Sequence, residues 1–251
     1  MNKIAIITGG SRGLGKSMAL HLAQQGTDVI LTYHSKQIEA QEVVAEIEKL
    51  GRKGFALQLD ASDSSSFAQF AENIEAALKE NWNRSDFDFL VNNAGIGIHS
   101  SFVETTEEQF DQLVNIHLKG TFFLTQKLLR LIKDGGRVLN VSSGLARFTL
   151  PGYSAYAAMK GGIEVLTRYM AKELGARQIR VNTLAPGAIE TDFGGGTVRD
   201  NQQVNNFVAS QTALGRVGLP DDIGGAVATL LSDESSWING QRIEASGGMI
   251  L

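Results

Sequence analysis

Two tyrosines and a lysine in the stretch YSAYAAMK, residues 153–160, are side chains whose types and spacing could do chemistry. On a helix, residues three, four and seven apart share one face. Tyr153, Tyr156 and Lys160 would then form a line, with Tyr156 and Lys160 one turn apart. A phenol beside a cation can give a proton to a carbonyl oxygen, or take one from an alcohol in reverse. A half-buried packing stripe has the same spacing, so the motif alone is weak. Its company raises it. NNAG (92–95), VSS (141–143) and PGAIET (186–191) each close a strand-like run, and Tyr156 lies 13 residues after Ser143. Polar groups at the carboxyl ends of neighbouring strands converge where a nicotinamide would lie.

The elements that must position these groups are legible as alternating patterns. Short apolar runs fall at 3–8, 28–33, 55–60, 87–92, 137–142, 179–185 and 241–245. Several are apolar on both alternations, as in parallel strands covered on both faces. Helix-like segments lie between them at 13–25, 36–50, 64–80, 107–133, 154–175 and 221–231, with a capping box expected from Thr105 and Glu108. This alternation predicts an α/β, doubly wound Rossmann-type fold, one domain over 1–251, with about seven parallel strands and helices on both faces. The polar, glycine-rich segment 192–213 follows a strand end and is expected to act as a substrate lid; a tolerated surface insertion is the plainer alternative.

TGGSRGLG (8–15) follows the first strand and opens a helix. Gly9, Gly13 and Gly15, with Ser11, Arg12 and Leu14 between them, suit a tight turn that brings backbone and a helix N-terminus to a pyrophosphate. The loop lacks the lysine and hydroxyl of a triphosphate site, so a dinucleotide is expected. NAD sites usually place an acidic residue about 20 residues past the glycines. Here the second strand runs into TYHSK (32–36), with no carboxylate before Glu39. Arg12 with His34, Ser35 and Lys36 can instead meet a 2′-phosphate, so NADP(H) is the expected cofactor and NAD(H) the alternative. Solvated surface charge is the duller account of Arg12 and Lys36.

Composition excludes several classes. A net charge of −4 gives no electrostatic footprint for nucleic acid or an anionic membrane. No apolar run approaches the roughly 20 residues that span a bilayer. The chain has no cysteine, hence no disulfide or thiolate metal site. His21, His34, His99 and His117 are scattered without a ligand pattern, so no metal site is expected and none of the four is read as catalytic. MNKIAIITGG enters a strand pattern at once, leaving no room for a signal peptide; a cytoplasmic protein is expected.

Together TGGSRGLG, NNAG, Asn115 to Gly120, VSS…YAAMK, IRVNTLAPGAIET and INGQRIEASGGMIL (238–251) resemble the short-chain dehydrogenase/reductase family over nearly the whole chain. Within it the chain looks closest to 3-oxoacyl-acyl-carrier-protein reductase-like and sugar dehydrogenase-like members. The resemblance implies that Tyr156 is the acid–base group and that Lys160 favours its phenolate and holds the nicotinamide ribose. It implies that Ser143 polarises the substrate oxygen, and that Asn115 holds a water linking Lys160 to solvent. Asp60 and Ala61 would meet the adenine, and Asn92, Ala94 and Gly95 the adenosine side. Pro186, Gly187, Ile189 and Thr191 would hold the carboxamide and diphosphate. Ser142 competes with Ser143, and a purely structural Asn92 competes with a cofactor contact.

Leu145, Arg147, Phe148, Tyr153 and Phe193, with Ser143, are expected to line the substrate pocket, Arg147 either meeting an anionic group or facing water. The family's assembly implies a homotetramer. The leading expectation is an NADPH-dependent reductase of a ketone, including a 3-oxoacyl thioester on an acyl carrier protein that Arg130, Lys133, Lys172 and Arg177 could meet, solvated helix charge being the commoner account of these four. The rivals are a dehydrogenase oxidising a sugar or other secondary alcohol, and a non-catalytic dinucleotide-sensing regulator.

Overall fold

The computed structural model describes residues 2–251. Seven parallel strands form one sheet: β1 (Ile4–Ile7), β2 (Asp28–Tyr33), β3 (Gly54–Gln58), β4 (Phe87–Asn92), β5 (Ile132–Val141), β6 (Arg180–Pro186) and β7 (Arg242–Ala245), in the order 3-2-1-4-5-6-7. The chain winds outward from β1 in one direction, then restarts at β4 and winds in the other. The crevice between the carboxyl ends of β1 and β4 is therefore the switch point where ligands bind in such sheets.

Both faces of the sheet are covered, which explains the uninterrupted apolar runs. In β1, Ala5 and Ile7 pack with Met18 and Leu22 of α1 (Gly13–Gln24), Val43 and Ile47 of α2 (Gln37–Lys49) and Ile223 and Val227 of α9 (Pro220–Leu230). Ile4 and Ile6 face the other side, with Phe67, Phe70 and Ile74 of α3 (Phe67–Trp82), Leu124 and Leu128 of α5 (Thr121–Leu128) and Ala171 of α6 (Ser154–Glu173). A smaller apolar cluster lies above the sheet. There Phe148 packs with Val208, Val217 and Met249, joining α7 (Thr197–Asp200) and α8 (Gln202–Ser210) to the chain's last residues.

The long helical stretch is not uniform. It begins as α4 (Glu107–Leu113), passes through a π-helical turn, Val114–Gly120, and resumes as α5. The capping box that starts it is one residue later than expected: Thr106 accepts from the Gln109 N–H, and the Gln109 side chain accepts from the Thr106 N–H. Thr105 is committed to the preceding turn, its hydroxyl donating to the Ser101 carbonyl at 2.8 Å.

No described helix is long and apolar enough to cross a membrane.

Candidate active site

The glycine loop meets the end of β4. Asn93 Nδ2 donates to the Thr8 and Gly9 carbonyls at 2.9 and 3.1 Å, and Thr8 Oγ1 accepts from the Asn93 and Ala94 N–H groups. These bonds fix the loop's curvature. A Cβ on Gly15 would collide with the Gly9 carbonyl oxygen. No side chain caps α1, so its first N–H groups are free for an anion, as a diphosphate site requires. Arg12 and Gly13 sit under the segment that follows β6: Arg12 pairs with Asp192 at 3.1 Å, and Thr191 stands over Gly13.

The ends of β2 and β3 bring together residues expected to meet a cofactor. His34 Nε2 lies 3.6 Å from Asp60. Asp60 also accepts from the Ser62 hydroxyl, which chiefly holds its pKa below the usual value. Lys36 is paired with Glu39 at 3.2 Å. The Ala61 carbonyl packs on Gly120, so the loop after β3 reaches the π-turn.

Asn92 is held by side chains of its neighbours. Buried, it donates to Asn140 Oδ1 and Thr125 Oγ1; Asn140 in turn donates to Thr167, which accepts from Thr183 at 2.7 Å. This polar ladder crosses β4, β5 and β6 and ties them to α5 and α6.

That tie places α6 over the end of β5. Tyr156 and Lys160 are both buried, and Lys160 Nζ donates to the Val141 carbonyl at 2.8 Å while lying 5.5 Å from the Tyr156 ring centroid. Burial raises the Tyr156 pKa; the nearby Ser143 hydroxyl opposes this and Tyr153 adds to it. Burial pulls Lys160 down to about 7. Of the two serines, Ser142 is occupied by Glu164 at 2.8 Å and by the Lys160 carbonyl, so Ser143 is the hydroxyl available beside the phenol.

The π-turn carries Asn115 and His117. Among the described residues, the half-buried Asn115 side chain makes no hydrogen bond to Ser143, Tyr156 or Lys160. His117, two residues on, is buried edge-on against Tyr156, with ring centroids 5.3 Å apart. Sequence reasoning passed over this histidine because it matched no ligand spacing; only the π-helical register shows which face it occupies.

The pocket wall also divides. Phe193 packs over Gly97 and tilts toward Tyr156 at 5.7 Å, while Tyr153 meets His99 edge-on at 5.0 Å. Leu145 touches the Tyr156 cluster. Two expected members are engaged elsewhere. Phe148 is buried in the small upper core, and Arg147 forms a bidentate pair with Glu244 while donating to the Met249 and Ile250 carbonyls. Arg147, exposed as well, thus fastens the last residues to β7. Pro186 ends β6, the Gly187 N–H donates to Ala245, and Ile189 bridges to Gly218, so this stretch runs along the crevice edge. No group of metal-ligating side chains occurs among the described residues.

Fold and site together define an oxidoreductase of carbonyl and alcohol groups, and the comparisons agree. Residues 9–250 match the family model described as enoyl-(acyl carrier protein) reductase. The chain is 38% identical to the tetrahydroxynaphthalene reductase PfmaG of Pestalotiopsis fici, covering 98% of this chain and 91% of that protein. Among solved structures it is similar to the promiscuous reductase LugOII, which catalyses keto-reduction at C1 during lugdunomycin biosynthesis (37% identity, TM-score 0.94, 99% and 98% of the two chains). It is also similar to the angucycline C-6 ketoreductase LanV with bound NADP (35% identity, TM-score 0.94, 99% and 95%). The chain belongs to the short-chain dehydrogenase/reductase family.

Proposed function

We propose that this protein is an NADPH-dependent reductase of a ketone carried on a flat ring system, yielding a secondary alcohol. The observation that carries the reading is the Tyr156 phenol, which burial keeps protonated through the neutral range, with the Phe193 ring tilted against it and the Tyr153 ring, edge-on to His99, one turn before it. A phenol that stays protonated carries the proton a reduced carbonyl oxygen must receive, which suits reduction. The aromatic walls suit a planar substrate, as borne by the hydroxynaphthalene and angucycline reductases it resembles.

The dinucleotide, when bound, supplies the hydride. The α1 N-terminus and glycine loop would hold its diphosphate, and Arg12, Ser35 and Lys36 its 2′-phosphate. Tyr156 gives its proton to the substrate oxygen, and Ser143 hydrogen-bonds that oxygen as negative charge develops on it. Lys160 stabilises the resulting phenolate by its charge. The 192–213 segment, carrying Phe193, is the lid in this scheme. An acyl-carrier thioester is less favoured, because Arg130 and Arg177 are paired with Glu75 and Asp134. A homotetramer is proposed with it, supported by the exposed apolar residues on α4, α5 and α6.

The test is Tyr156→Phe, assayed with both cofactors on a panel of polycyclic ketones. NADPH binding persists, and kcat falls by about 10²-fold or more. Unchanged turnover, or tighter binding of NADH than NADPH, removes the reading.

A further inference from the structure

Ser143 has to present its hydroxyl to a substrate oxygen, and its surroundings hold it from several sides. Its Oγ accepts from the Leu145 N–H at 3.2 Å, at the start of a short helical turn, Gly144–Ala146, which leaves the O–H free to donate. Beside that turn runs a row of four charges of alternating sign, drawn from α6, β7 and the loop itself. Glu164 lies one helical turn past Lys160 on α6. It accepts from the Ser142 hydroxyl at 2.8 Å and from Arg242 Nε at 2.7 Å. Arg242, on β7, also donates from Nη1 to Glu244 at 2.8 Å and from Nη2 to the Ser143 carbonyl at 3.4 Å. Glu244 then receives Nε and Nη2 of Arg147, each at 2.8 Å. The side chains of Arg242, Glu164 and Glu244 are only 22%, 15% and 17% exposed, so solvent and salt screen their attractions little. Hydrogen bonds from Arg147, and then from Ser246 and Arg242, hold the Glu244 pKa at about 2 against the opposing effect of burial, which keeps it charged.

The points of attachment, at Ser142, the Ser143 carbonyl and Arg147, bracket the serine. The sheet itself does not depend on them, because β7 pairs with β6 through its backbone, Thr183 opposite Arg242. We infer that Arg242 is a positioning residue for Ser143: its fork ties the helix that carries Tyr156 and Lys160 to the strand end that carries the serine, and so sets how hydroxyl and phenol meet one substrate oxygen. The inference rests on the proposed reduction, in which Ser143 hydrogen-bonds that oxygen. Arg242 touches no reacting atom and exchanges no proton. A lysine is a poor substitute, since an ammonium is a point donor and cannot span two carboxylates and a carbonyl as a planar guanidinium does.

The experiment sets Arg242→Met and Arg242→Lys beside the wild type on a polycyclic ketone. Arg242→Met lowers kcat by about tenfold or more and changes KM less than about threefold. Arg242→Lys, which keeps the charge between the two carboxylates and so guards the fold, still loses about fivefold. In a Ser143→Ala background positioning has nothing left to act on, and the change to Met costs less than about twofold. An arginine that served the fold alone would give the same factor in both backgrounds. That result, or a wild-type kcat in both single variants, would overturn the inference. A second measurement needs no turnover. The Leu145, Ala146, Arg147 and Phe148 N–H groups are all hydrogen-bonded within the turn. In cofactor-free protein their hydrogen exchange should quicken by about tenfold or more in Arg242→Met, and measurably in Arg242→Lys, while β6 exchanges as in the wild type. Unchanged exchange in the turn sinks the proposal. A wild type inactive on every ketone, with the turn loosened in the variants as expected, counts against the reduction alone.

Discussion

Tyr156 and Lys160 are both pushed by burial toward their uncharged forms, and this sets how the site depends on pH. Lys160 has a folded pKa of about 7 against an ordinary value of 10.5. Between those values the unfolded chain holds more protons, so stability rises with pH across that window. Lys160→Met should flatten the rise, measured as midpoint denaturant concentration against pH, while abolishing ketone reduction. A rise of the same size in the variant would assign it elsewhere. His117 acts on the acid side. Its folded pKa of about 3 lies below the ordinary 6.5, so its contribution is present above 6.5 and lost as pH falls toward 3. Residues acting through neighbours in sequence were legible: Tyr156, Lys160 and Ser143 share a spacing that could be counted. His117 and Arg147 were not. The first depends on a helical register no propensity reveals, the second on Glu244, 97 residues away.

At the level of elements, the polar ladder from Asn92 to Thr183 decides where α6 rests. Thr167 sits at its centre, 1% exposed, bonded to both Asn140 and Thr183. Thr167→Val preserves the shape and leaves two buried groups short of a partner, which should cost about 1–3 kcal/mol of stability. The same change should raise KM and lower kcat together, since the helix carrying Tyr156 and Lys160 loses its registration on β5; thermal melts and steady-state rates check both. Strands read from the sequence at 28–33 and 87–92 match β2 and β4 residue for residue, because burial on both faces leaves no other pattern there. The capping box of α4 was displaced by one residue, though the helix starts at Glu107 as expected, because two adjacent threonines are equivalent until one bonds backward to Ser101. The π-turn is silent in sequence, being a feature of packing around Gly120.

For the whole molecule, the sheet order and switch point follow from the strand–helix alternation, whereas the proposed assembly draws on exposed apolar residues of the helices. Phe122 on α5 and Tyr169 on α6 are 42% and 65% exposed, and Phe110 on α4 and Val165 on α6 are exposed too, more apolar surface than isolated side chains explain. The proposed tetramer is checked by the mass of the protein in solution: four chains for the wild type, fewer for a Phe122→Glu, Tyr169→Glu double variant. A wild-type monomer would remove it.

One exposed ion pair has a consequence in kinetics and salt. Arg12 on the glycine loop holds Asp192 at 3.1 Å, and Asp192 is also held by Arg199. A single guanidinium cannot fully satisfy both that carboxylate and an incoming 2′-phosphate, so the two anions are rivals for it. Added salt weakens both attractions, with a Debye length falling from about 10 Å at 0.1 M to about 3 Å at 1 M. The phosphate carries more charge than the carboxylate and loses more by it. Ionic strength should therefore tilt the contest back toward Asp192 and speed the departure of spent cofactor, so that the enzyme's turnover would be paced in part by its buffer.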